Sequence, residues 1–131
     1  MQTIDQKCAE NAYKAYFELN KLSDLDKDKV FGFAKKMPMM IMASGLGNAV
    51  MFKLNDDIDL VKYLLKWLFP EENFDIQGND QEEKLKAKIE KVVYEKLLKS
   101  SDSLRINTVK ALKWLEWFNR FADASETSDK E

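Results

Sequence analysis

The residues best suited to binding chemistry lie on one side of the last amphipathic stretch of this 131-residue sequence. At 100° per residue, Lys110, Lys113, Trp117 and Arg120 gather with Ile106 opposite the apolar arc Leu104, Thr108, Ala111, Leu115, Phe118 and Ala122. Cations around an indole can hold phosphates by charge and a base by stacking, or can dock a protein partner. The same tryptophan also fits a second packing face in a helical bundle. Near the other end, Lys7, Lys14 and Lys21 recur at seven-residue spacing, a pattern shared by a solvated helix face and a polyanion contact.

Catalytic chemistry has little to work with. The sequence has no histidine, hence no side chain whose ordinary pKa suits general-base work near neutral pH. Cys8 is its only cysteine, which rules out an internal disulfide framework and fits a reducing, cytoplasmic setting. The run Asp24-Leu25-Asp26-Lys27-Asp28 resembles the start of a calcium loop. Lys29 then stands where the turn glycine belongs, and Lys35 where a bidentate glutamate belongs. Asp56, Asp57 and Asp59 read as a helix cap with solvated acids, because nothing in the sequence completes a magnesium site. Gly45 and Gly47 are too few for a phosphate loop and read as a helix end with close packing. A non-enzymatic protein with neither cofactor nor metal is expected.

The elements that must position these residues are helices. With 4 glycines and 2 prolines there is little turn material for an all-β fold, and Lys, Glu, Leu, Ala and Met favour helix. The reading is all-α, one compact bundle of five or six helices over residues 1–124, followed by a disordered polar tail at 125–131. Its organising stretch is Lys35–Gly47, the least polar run. It is expected to be a buried helical segment, with Pro38 opening or kinking it, Gly45 ending it, and Met37, Met39, Met40 and Met42 serving as core packing or as a surface that a partner can repack. Other helices are expected over Asp5–Leu22, after Ser23 or Asp24, over Asn48–Leu54, from Ile58 to the stop at Pro70, over Gln81–Lys99, and after Ser101 or Asp102. Between Glu71 and Gln81 a loop carries Phe74 and Ile76, whose apolar character predicts that it lies against the domain.

No apolar run approaches the roughly 20 residues that a membrane-spanning helix needs, and no membrane partner is expected. The net charge of −2 argues against tight autonomous binding to a nucleic-acid duplex, while leaving room for a local basic face. Balanced charge without a long heptad seam predicts a monomer or weak oligomer in isolation.

Four sequence features occur together in order. They are Ala12-Tyr13, Lys36-Met37-Pro38-Met39-Met40-Ile41, Gly45-Leu46-Gly47-Asn48-Ala49-Val50-Met51-Phe52, and Ala111-Leu112-Lys113-Trp114-Leu115-Glu116-Trp117-Phe118-Asn119-Arg120-Phe121-Ala122. The chain thereby resembles the small helical subunit of the type III-B CRISPR effector, the Cmr complex. The resemblance implies a non-catalytic subunit that stacks on neighbouring copies of itself, contacts the larger Cmr backbone subunits and supports the duplex of guide RNA and target RNA. The RNA-binding candidates it implies are Lys14, Lys35, Lys36, Arg105, Lys110, Lys113 and Arg120. Trp117 departs from the family in standing at a place that is often basic, so stacking or subunit contact is expected to replace a charge contact there, and its separation from the Ala111-Leu115-Phe118 arc makes it the candidate protein-interface residue. The alternative is an all-helical protein-interaction module without a nucleic-acid role.

Overall fold

A computed structural model describes residues 2–75 and 81–129, with side chains as far as 125. Among these residues six α-helices follow one another without a strand. They are α1 (Ile4–Leu19), α2 (Asp24–Ser44), α3 (Leu46–Lys53), α4 (Ile58–Leu68), α5 (Gln81–Val92) and α6 (Ser101–Asp129). A π-helical segment, Val93–Leu98, prolongs α5, so the helix expected to run unbroken from Gln81 changes its winding before its end. Ile76 and most of the expected polar tail lie outside the residues whose side chains are described.

Helix α6 is the common support, packed against α1, α2, α3, α4 and the π segment. Its inward arc is the one the periodicity predicts: Ala111, Leu115, Phe118 and Ala122 are fully buried, and Trp114 joins them. Ala12 and Ala15 of α1 are buried opposite, and their small side chains permit a close crossing. The start of α1 is fixed by a capping box, in which Thr3 and Gln6 satisfy one another's backbone amides. Ser23 caps α2 by accepting from Asp26 N at 3.3 Å. Ser100 caps α6 from one residue before the expected start, its Oγ accepting from Ser103 N at 3.2 Å.

The central apolar stretch is half buried, where full burial was expected. Met37 and Ile41 are in the core, yet Met39 is 78% and Met42 75% exposed, because a helix carries consecutive residues around all its sides and only one side faces α6. Pro38 lies inside α2 and therefore does not open it. A proline there has no N–H for the carbonyl four residues back, that of Ala34. The side chain of Asn119 on α6 supplies the donor instead, Nδ2 to Ala34 O at 2.9 Å.

Gly45 ends α2 with φ of +91°, a conformation that costs a residue with a Cβ. Helix α3 then begins at Leu46, two residues earlier than expected, with Gly47 buried inside it against Leu98. Asp57 precedes α4, but the cap read from the 55–57 run is not made by its side chain. Asp57 as a whole is only 7% exposed, with its accessible part on a pocket. The segment after α4 is held down by buried Phe74 and by ion pairs from Lys66 to Asp75 and from Lys88 and Lys96 to Glu72.

Candidate nucleic-acid interface

The α6 residues singled out by spacing are brought into one neighbourhood with α1 and α4. Lys110 and Lys113 line a groove of about 310 Å³ with Ile4 and Cys8 of α1, Trp67 of α4 and Val109. The Lys110 ammonium lies 5.6 Å from the Trp67 ring centre, so α4 fixes its position through a cation–π contact. Lys113 is exposed beside it. One and two turns further on, Trp117 and Arg120 form a stacked pair, with the guanidinium 5.1 Å from the indole centre.

Trp117 is half-buried. Its Nε1 donates to Asp5 Oδ1 at 3.2 Å, and its ring stacks on Phe121 at 6.0 Å between centres. Trp114 makes a parallel contact further in, Nε1 to Asn11 Oδ1 at 2.9 Å. Two tryptophans of α6 are thus latched to two polar residues of α1. The ring of Trp117 thus has intramolecular partners in Asp5, Phe121 and Arg120 and stays partly accessible.

The other basic candidates are spread out. Arg105 lies on α6 about four turns before Arg120, roughly 22 Å along the axis. Lys35 projects from α2 and reaches α6 through Asp123 at 3.2 Å, and Lys36 beside it is exposed. Lys14 is exposed on α1. Carboxylates are interleaved with these cations: Glu10 pairs with Lys14 at 3.2 Å, Asp102 with Arg105 at 3.8 Å and Glu116 with Arg120 at 2.5 Å. Such exposed pairs within a helix are screened by solvent and contribute little, so a phosphate can compete for the cation.

Cys8 faces the groove but is a poor nucleophile. Burial, helped by Asp5, pushes its thiol up to about 11 against the opposing pull of Lys113 and Lys110, so it stays protonated at neutral pH. Among the described residues no group of carboxylates and cysteine converges tightly enough to hold a metal ion. The spacing argument found the α6 residues but missed Trp67, Asp5 and Asn119, which hold them or their helix in place. A proline inside a helix signals that some donor must reach the carbonyl four residues back, but not which donor.

Residues 4–125 match the family model described as CRISPR-associated protein (Cas_Cmr5), and the chain belongs to that family. It is a small subunit of the type III-B CRISPR Cmr complex, and the resemblance carried by the Pro38 and α6 motifs holds. No curated protein and no solved structure matches the chain. Among the described residues no helix is long and apolar enough to cross a membrane.

Proposed function

We propose that this chain is a non-catalytic, RNA-supporting subunit, several copies of which stack along the Cmr filament beside the duplex of guide RNA and target RNA. The observation that carries the reading is the outer side of α6, where Lys113 and Arg120 stand in line, flanked by the positioned Lys110 and the half-buried Trp117. These cations are carried by the helix against which most of the others pack, so a phosphate contact there costs little ordering of the chain. Lys14, Lys35, Lys36 and Arg105 add weaker contacts, three of the four being shared with acids. With a net charge of −2, one copy binds RNA weakly, and several copies on one filament gain by effective concentration. Trp117 serves the contact between neighbouring copies through its accessible part.

Reconstitution with the larger Cmr subunits and guide RNA tests this reading. Reversing the charge of Lys110, Lys113 and Arg120 together is expected to weaken target-RNA binding and to flatten its dependence on salt, by up to three ion-release units in the slope. An intact complex with unchanged affinity and slope would leave the protein-interaction reading, in which Trp117 and the exposed methionines dock protein and touch no nucleic acid.

A further inference from the structure

At the entrance to α4 the structure holds a pocket of a different character from the α6 face. Five carboxylates line it, those of Asp26, Asp56, Asp57, Asp59 and Glu82, against the single cation Lys29. Its volume is about 170 Å³, well above the ~10–15 Å³ that a single water needs. Asn55, Leu22, Val30 and Ile58 complete the wall, so the pocket is acidic without being wholly polar.

The decisive residue is Asp57. It is 7% exposed; its backbone is bonded to Lys53 O and Val61 N, but its side chain makes no cap contact with α4 and joins no hydrogen bond or ion pair among the described residues. Its oxygens are not sealed off as Trp67 Nε1 and Asn119 Oδ1 are, so they meet the pocket, and with the rest of the residue buried they remain acceptors for an incoming donor. Burial raises its proton affinity, against the pull of Lys53 and Lys29, as expected of an acceptor awaiting a positive charge.

A metal ion does not answer this geometry, because no three of these acids approach closely enough to share one. An ammonium group does. It needs only one or two oxygens at hydrogen-bond distance, and an aliphatic stem behind it would lie along Leu22, Val30 and Ile58 while further amines reach the separate rim acids. The pocket adjoins a shallower trench that shares Asp26, Ile58, Asp59 and Glu82 and continues past Lys62 to Gln81 and Leu85, giving such a stem somewhere to run along its side away from Lys62.

We propose that this pocket binds a primary ammonium group on an aliphatic chain, seated on Asp57. Two sources carry that chemistry: a free aliphatic polyamine, and a lysine of a second copy of this chain.

Calorimetric titration of the full chain with spermidine in low salt, together with sedimentation across a range of chain concentrations, separates the two. A free polyamine gives saturable binding of one spermidine per chain, weakened at least tenfold by Asp57→Asn and less by the rim variant Asp59→Asn, with magnesium at equal concentration a poor competitor. A lysine of a second copy gives self-association that Asp57→Asn abolishes and spermidine reverses. The circular dichroism of both variants should match the wild type, and the rim variant provides the reading should Asp57→Asn unfold. The proposal is overturned if neither binding nor self-association is seen, if magnesium displaces spermidine at equal concentration, or if the folded variants bind like the wild type. None of these outcomes depends on RNA contact by α6.

Discussion

Two buried polar groups sit at irregular points of the helices and are treated in opposite ways. The carbonyl of Ala34, left without its helical donor by Pro38, receives Nδ2 of Asn119 from α6. The carboxylate of Asp57, at the entrance of α4, receives no hydrogen bond from the described residues. Both positions pay desolvation, but only the first recovers it within the chain. The contrast teaches that the carbonyl orphaned by Pro38 is satisfied from within the α2–α6 seam, although Asn119 Oδ1 beside it is not, whereas a group facing a pocket is left for something outside.

The largest expected effect breaks the satisfied side of the contrast. Asn119→Ala removes the donor and leaves Ala34 O buried and unpaired, at a cost of about 1–3 kcal/mol. The lower half of that range is expected, because the substitution also removes Asn119 Oδ1, itself buried without a partner. In a Pro38→Ala background the restored backbone N–H can reach Ala34 O, and the same change should cost less. Denaturant unfolding of the wild type, the two single variants and the double variant gives the coupling directly, expected to exceed about 0.5 kcal/mol. Simple additivity would mean that Asn119 serves α2 for some reason unrelated to the proline.

The unsatisfied side responds in the other direction, and with a smaller change. Asp57 has a proton affinity raised by burial, so the folded chain holds that proton more tightly than the unfolded chain does. Its ionisation therefore works against folding: stability is lost as pH rises from the ordinary aspartate value of 3.8 through the raised folded value, and the deficit persists at neutral pH. Asp57→Asn should raise the melting temperature at pH 7 and give no gain below the ordinary aspartate range. Melting curves of both proteins across pH 3 to 7 read the sign. An equal shift at every pH would trace the change to packing and not to charge.

The two sides of this comparison were unequally legible in the sequence. The α6 arc was readable because Ala111, Leu115, Phe118 and Ala122 repeat at helical spacing and burial follows that repeat. Lys110, Lys113 and Arg120 could be placed opposite it by the same arithmetic. What periodicity cannot supply is the neighbour across a gap of sequence: Asp5 under Trp117, Trp67 under Lys110, Asn119 beneath Pro38. The methionine run misled for a related reason. Its composition says apolar, but which of its sides meets α6 is decided by the tertiary crossing, and Met39 and Met42 fall outside it. At Asp57 the run of acids signalled a cap correctly in position, since α4 starts there, and wrongly in chemistry.

The smallest expected effect tests whether exposed polar groups follow either rule. Glu116 and Arg120 are about half exposed and paired at 2.5 Å along one helix, so neither group depends on the other for solvation. Glu116→Gln should therefore change stability by no more than about 0.3–0.5 kcal/mol, within the scatter of most unfolding measurements. Its effect on binding should be larger than its effect on folding. The substitution frees the Arg120 guanidinium, which Trp117 still orients from 5.1 Å, and removes a negative charge from the outer ridge of α6. In the reconstituted complex, target RNA should bind more tightly, with the gain shrinking as salt is raised because it is electrostatic. A variant of unchanged stability and unchanged RNA affinity would show that Arg120 does not meet a phosphate. A variant with reduced affinity would show that the carboxylate holds the guanidinium in its binding geometry, making Glu116 a positioning residue and not a competitor.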